Sequence, residues 1–246
     1  MYRCLIIGLA ILTLCIPAIG QDKGTPPPAK IYTGNFGAGL AVTSGNTDTQ
    51  NFNLSFELTR DPKSKSVTKA NGLYLRSNAS GNTITDLLRL GFREDYSLSK
   101  RVSVYGAIGY TRDPFKDISY LINPQGGLGV KVYSSDRAVF ALSGGAGGVW
   151  EKDEGVDVHS SGTINAGQNF SFKISNNAKL VQNLTGMWKT SNFDDAAYHF
   201  DISLVTSIVK RVDLKLEFMD EYKNVVPNAR IKKNDTALIT SFLFKF

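Results

Sequence analysis

Two pairs of side chains in this 246-residue chain have the chemistry to move a proton. His159 precedes Ser161 by two positions, and His199 precedes Asp201 by two. A histidine base beside a hydroxyl is the start of a nucleophilic site, and a carboxylate beside a histidine can orient its ring. On an extended strand, however, residues i and i+2 stand about 6.5–7 Å apart, too far for the hydrogen bond a base needs. Neither GxSxG nor HExxH occurs, and nothing in the sequence brings the two histidines together around a metal. These four residues read as polar wall residues. No catalytic, cofactor or metal site is expected.

A second set of charged residues has a different spacing. Glu57, Arg89, Arg93, Asp95, Asp201, Asp213, Lys215 and Glu217 each lie in a segment that alternates with period two. In Ser44–Thr59, Phe52, Leu54, Phe56 and Leu58 point one way, and Asn51, Asn53, Ser55, Glu57 and Thr59 the other. Tyr198, Phe200, Ile202 and Leu204 likewise oppose His199, Asp201 and Ser203. Val212, Leu214, Leu216 and Phe218 oppose Asp213, Lys215, Glu217 and Met219. Leu88, Leu90 and Phe92 oppose Arg89, Gly91, Arg93 and Asp95. One face suits a fatty medium and the other a polar one. A soluble antiparallel sheet has the same period, but a filled soluble core would have to desolvate all of these ionised groups. Inside a hydrated barrel they stay solvated or form a paired lumen network. Gly144 to Gly148 shows no usable pattern, and Gln182 interrupts the apolar face of Leu180 and Leu184.

The elements that position these residues are strands. Alternating segments at about 31–42, 50–60, 67–77, 83–96, 101–111, 119–132, 138–150, 157–171, 178–189, 196–208, 211–223 and 234–246 make about twelve. They are longer than the roughly 5–6 residues usual in soluble proteins and match the roughly 9–11 needed to cross a bilayer. Even-numbered links (DPKSKS, SLSK, SSDR, SNN, VKR) are tight. Odd ones include RDPFKDIS, EKDEGVD and KNVVPNARIKKN. Tyr96, Tyr110, Tyr133, Trp150, Trp188, Tyr198 and Tyr222 sit near strand ends, as in the aromatic girdles of membrane barrels. Unpaired sheet edges are not tolerated in lipid, so the predicted fold is all-β: a closed antiparallel up-and-down transmembrane β-barrel of about 12 strands, the last closing on the first.

The N-terminus supplies an address. Arg3 precedes an uncharged run from Cys4 to Ile16, followed by Ala18-Ile19-Gly20. Residues 1–20 therefore read as a cleaved secretory signal. A lipoprotein reading through Cys15 meets the bulky Leu14. Residues 21–30, with three consecutive prolines, read as a flexible lead-in, and 31–246 as the barrel. Both cysteines of the sequence fall in the signal, so no disulfide framework or cysteine site is expected. The net charge of +6 is scattered, without the basic stripe of a nucleic-acid surface. The one dense patch, Arg230, Lys232 and Lys233, is placed to meet lipopolysaccharide phosphates. The C-terminal Phe242, Phe244 and Phe246 form an aromatic ending like the insertion signal of outer-membrane proteins. That makes the barrel-assembly machinery an expected partner alongside outer-membrane lipid.

The segment Phe36-Gly-Ala-Gly-Leu-Ala-Val-Thr-Ser-Gly-Asn-Thr-Asp-Thr49, with its turn Ser44, Gly45, Asn46, Thr47 and Asp48, resembles the start of an uncharacterised outer-membrane β-barrel family labelled salt-induced outer-membrane proteins. The resemblance runs from about residue 30 to Phe246. A tryptophan common early in that family is replaced here by Tyr32 or Phe36. The resemblance implies an outer-membrane barrel and brings no catalytic residue, substrate or cofactor. The turn itself reads as a hairpin in which Gly45 and Asn46 accept positive φ. A calcium loop would need more acids than Asp48.

The expected function is a bacterial outer-membrane barrel of structural or narrow-channel type, with small solutes as candidate cargo. Two alternatives stay open: a barrel enzyme acting on membrane lipids, and a soluble periplasmic β-barrel binding module. Oligomeric state is not legible.

Overall fold

The computed structural model describes residues 30–44, 49–79, 82–153, 155–226 and 231–246. The predicted signal, residues 21–29 of the lead-in, Gly45–Asp48 of the turn motif and Arg230 lie outside the described residues. Twelve strands follow one another: β1 (Tyr32–Ser44), β2 (Thr49–Arg60), β3 (Ser66–Ala79), β4 (Asn82–Ser97), β5 (Val102–Asp113) and β6 (Ile118–Ser134). Then come β7 (Ala138–Asp153), β8 (His159–Lys173), β9 (Ala178–Lys189), β10 (Asn192–Val209), β11 (Val212–Lys223) and β12 (Asn234–Lys245). A 3-10 turn, Pro114–Lys116, joins β5 to β6.

Each strand pairs antiparallel with its chain neighbours, and β12 pairs with β1 from Asn35↔Lys245 to Ser44↔Thr236, closing the barrel. The even strand count puts the start of β1 and the end of β12 at one end. The tight turns lie at that same end, and three of them are built around serines. Ser99 Oγ accepts from the backbone N–H groups of Arg101 and Val102 at 3.2 and 3.0 Å. Ser135 Oγ accepts from Ala138 N at 3.0 Å, and Ser175 Oγ from Asn177 N at 3.2 Å. Each short side chain supplies the acceptor that a two-strand reversal leaves missing. In the β2–β3 turn, Asp61 takes that role toward Lys63, which holds a left-handed φ of 58°. The hydrogen bond from the Lys63 ammonium lowers the Asp61 carboxyl from its ordinary pKa.

The alternation of the sequence becomes two walls. Phe52 is 50% exposed while the next residue, Asn53, is fully buried. Leu204, Leu216, Phe218, Leu238, Phe242 and Phe244 lie exposed on the outside. Trp188, Tyr198 and Tyr222 cluster on the outer wall toward the end away from the termini, with Trp188 Nε1 donating to the Tyr198 hydroxyl at 3.2 Å. The illegible run Gly144–Gly148 obeys the same rule: the register places Gly145 and Gly147 inward, and Gly144, Ala146 and Gly148 outward. Gln182 on the outer wall takes a hydrogen bond from Gln168 at 2.6 Å, which reduces its desolvation cost.

Three features depart from the sequence reading. β10 begins at Asn192, with a register shift before Ala196, so the β9–β10 link shrinks to Thr190 and Ser191. Pro124, which has no N–H to give the ladder, sits in mid-β6. The β6–β7 pairing skips from Ile122↔Trp150 to Gln125↔Gly147, and Asn123 Nδ2 donates to the Gly148 carbonyl at 2.9 Å. The inner face is also not uniformly polar. Leu75 and Leu87 of β3 and β4 pack against Met219, Ala237 and Ile239 of β11 and β12, with Leu73 alongside. The intervening strands carry small inward residues between them, Gly37 and Gly39 on β1 and Ser55 on β2. At Gly39 a Cβ would run into the backbone of Thr240 and Ser241. Small residues there let opposite walls meet through bulky ones.

An outward Phe218 in hydrocarbon has a direct consequence. Phe218→Arg is expected to lower stability by about 2–4 kcal/mol near the bilayer midplane, read by denaturant unfolding of the protein folded into phospholipid vesicles.

Candidate functional site

The inward side chains of a twelve-stranded ring are close enough to meet across it. Arg89 of β4 donates to Glu221 of β11 at 2.6 Å, although β3, β2, β1 and β12 separate their strands in the sheet. The same carboxylate is bonded by His199 Nδ1 of β10. His199 Nε2 faces Asp201 at 3.1 Å, Asn183 Nδ2 donates to Asp201 at 2.8 Å, and Asn169 Nδ2 donates to Asn183 at 2.5 Å. A continuous chain of polar contacts thus links β4 to β11, β10, β9 and β8 at the waist of the lumen. With one ring nitrogen on each of two carboxylates, His199 is committed to this chain.

Cavities lie to either side. One of about 480 Å³ reaches the end away from the termini, and another of about 480 Å³ reaches the terminal end. A side chamber of about 220 Å³ lies against β5–β9. Arg89 lines the first two, and His199 lines all three.

The end away from the termini is bridged again. Lys116 of the 3-10 turn reaches Asp235 on β12 at 2.9 Å, across the mouth. Beneath it Glu151 is fully buried and receives Lys189 and Lys223 on its two oxygens, each at 2.7 Å. Lys189 also bonds Asp195 at 2.7 Å. Burial of a carboxylate is tolerated only with such partners.

At the terminal end, Asp213 pairs with Lys245 at 2.5 Å and accepts from Ser207 at 2.6 Å, while Lys215 pairs with Glu217 at 2.8 Å. Glu57 accepts from Asn35 at 2.9 Å. On the β4 wall, Arg93 grips Asp95 at 2.8 Å and lies 3.7 Å over the Tyr105 ring. All eight residues of the expected lumen network point inward. They form several separate pairs and one crossing chain.

The remaining expected positions are quickly placed. Phe242, Phe244 and Phe246 lie on the outer wall, 50–59% exposed. Ser44 ends β1. Lys233 donates to Asn224 at 3.2 Å. The proton-moving pairs do not assemble into a nucleophilic site. Ser161 is bonded to Gly162 O and Ser191, each at 2.9 Å, and the nearest acceptor of His159 Nδ1 is Asp157 O at 3.5 Å. Glu151, Asp153 and His159 lie near enough to share a cation. Two ammonium groups already occupy the Glu151 oxygens and oppose a further cation there.

The sequence reading missed Glu221, Glu151, Lys189, Lys223 and the Lys116–Asp235 pair. Glu221 continues the parity of Asp213, Lys215 and Glu217, so the alternation carried one turn further would have found it. Glu151 lies one residue beyond the predicted end of its strand. Removing the Glu151 charge is expected to leave two lysines facing each other in a confined site. Glu151→Gln should therefore cost about 3 kcal/mol, measured by denaturant unfolding, and changing Lys223→Met in addition should recover part of the loss.

With this geometry in hand, the chain can be set beside known proteins. The family model described as "Protein of unknown function, DUF481" matches residues 36–246. No curated protein matches the chain at a significant level. Among solved structures it is similar to the NanC porin, with a TM-score of 0.59 at 11% identity, covering 86% of this chain and 100% of that one. It is also similar to the translocator domain of the autotransporter NalP from Neisseria meningitidis, with a TM-score of 0.54 at 9% identity, covering 89% and 90%. The COG4313 outer-membrane channel from Pseudomonas putida F1 gives 0.52 at 12% identity, covering 93% and 100%. At these identities the likeness is one of fold: a closed twelve-stranded antiparallel barrel of the bacterial outer-membrane kind.

Proposed function

We propose that this chain, which belongs to the DUF481 family, is a narrow outer-membrane channel whose lumen is held nearly shut by its own ion pairs. The observation that carries this reading is the Arg89–Glu221 bridge at 2.6 Å between facing walls. An open general-diffusion pore has no side chain spanning it. Here a guanidinium crosses the waist, Lys116 crosses the mouth, and an apolar cluster closes one side. Solutes pass only by threading between the remaining cavities.

The exposed apolar wall, which has large members on every strand but β3 among the described residues, favours a membrane barrel over a soluble binding module. The commitment of His199 to two carboxylates and of Ser161 to neighbouring polar groups leaves a lipid-acting enzyme without a base–nucleophile pair. The three structures compared above include two named as a porin or channel, in keeping with passage as the activity. The salt-induced label of the family resembled in sequence adds no mechanism to this reading. Lipopolysaccharide contact at Lys232 and Lys233, and handling by the assembly machinery through the terminal aromatics, belong to the same proposal.

Purified protein in planar bilayers is expected to show small unitary conductance. Arg89→Ala, which removes the crossing side chain, is expected to raise it several-fold while the fold persists. Large conductance in the unmodified protein, or an Arg89→Ala variant that conducts no better, would overturn the reading.

A further inference from the structure

Most charged side chains of the lumen spend themselves on one another. The 220 Å³ side chamber does not follow that rule. It is lined chiefly by β5–β10, with the inward Gly167 in its wall, and the adjoining inner face of β6 and β7 is glycine-rich at Gly127, Gly129, Gly145 and Gly147. At Gly167 a Cβ would stand 2.8 Å from Ser143 Oγ, so a larger residue there would intrude on the chamber.

Its lining combines neutral hydrogen-bonding side chains with the charged Arg93, His199 and Glu221. Gln125, Ser143 and Thr185 line the chamber, and among the described residues their side chains have no hydrogen-bond partner. Asn123 gives its amide N–H to Gly148 O at 2.9 Å, and Asn165 gives its own to Thr163 Oγ1 at 3.0 Å. Their side-chain carbonyl oxygens remain as acceptors. Both asparagines and Tyr105 are more than nine-tenths buried. Polar groups in such a recess must find partners in water or in a solute, because leaving them unmet is costly.

The charged residues that line the chamber are already matched. Arg93 is held by Asp95 through Nε at 2.9 Å and Nη2 at 2.8 Å, and its face is on Tyr105. Glu221 is held by Arg89 and His199. An anionic solute would have to break the first set and a cationic one the second.

We infer that this chamber is a binding subsite for a small, uncharged, polyhydroxylated solute of about monosaccharide size. Hydroxyl groups both donate and accept, as the mixture of two carbonyl acceptors, one free carboxamide and two hydroxyls requires. The inference rests on the channel reading for how the solute arrives, and on the chamber alone for how it is held.

The test uses glucose and glucuronate, which share the pyranose ring and differ in a carboxylate in place of the C6 hydroxymethyl group. Titration calorimetry on the detergent-solubilised protein measures binding, and swelling of proteoliposomes measures passage. Glucose is expected to bind and enter, and glucuronate to do both more weakly. Gln125→Leu combined with Thr185→Val should lower glucose affinity about tenfold, the effect of losing two neutral hydrogen bonds, with the strand circular dichroism unchanged. Should that variant fail to insert, the comparison of the two solutes on the unmodified protein decides alone. Passage of solutes without glucose binding, or glucuronate binding as well as glucose, overturns the subsite and leaves the channel standing. Glucose binding without passage supports the subsite and overturns the channel. Neither binding nor passage overturns both.

Discussion

Everything in this fold depends on one requirement: in hydrocarbon, each backbone N–H and C=O must be bonded inside the protein. A sheet meets it only by closing. The pairing of β1 with β12, from Asn35↔Lys245 to Ser44↔Thr236, is therefore the contact on which the others rest. Once the ring closes, each side chain has one of two surroundings. Phe52, Leu216 and Phe242 meet the fatty medium, and Asn53, Lys215 and Ser241 the interior. Pro124 removes a donor from the ladder in mid-β6, and beside it the Asn123 amide donates to the Gly148 carbonyl. The requirement reaches even single residues.

Closure at twelve strands also sets the scale of the interior. The ring is narrow enough for an arginine to reach the facing wall, so charged residues placed inward find each other. Charges in such confinement are costly alone and tolerable in pairs. Glu151 between Lys189 and Lys223 is the extreme case, buried and bonded on both oxygens. The obstruction of the lumen is thus a consequence of putting ionised groups into a small cylinder. The apolar contact of Leu75 with Met219 and Ile239 adds a second obstruction of a different kind.

The strands were legible because period two is a local property, read directly from neighbours such as Leu214, Lys215, Leu216 and Glu217. Their number and most of their ends followed from the same signal. What lay hidden was whatever depends on who stands across the ring. No sequence spacing relates Arg89 to Glu221, 132 residues apart, or Lys116 to Asp235. Leu75 and Ile239 looked like ordinary members of mixed strands, and their inward contact depends on the small residues between them. Gly144–Gly148 was illegible because glycine carries no polarity, and only the register assigns its faces. The histidines were visible as chemistry, but His199 proved to be part of a bridge because Glu221 arrives from the next strand.

The measurement that bears most directly on this account is a scan along β11 in lipid. The sequence has only Cys4 and Cys15, both within the predicted signal, so single cysteines can be introduced one at a time at Leu214, Lys215, Leu216, Glu217 and Phe218. A fluorophore at Leu214, Leu216 and Phe218 should be quenched by brominated lipid. At Lys215 and Glu217 it should escape the lipid quencher and respond to a small aqueous one. Lipid quenching at Lys215 and Glu217, or the same response at all five positions, would contradict the assignment of inside and outside and with it the channel.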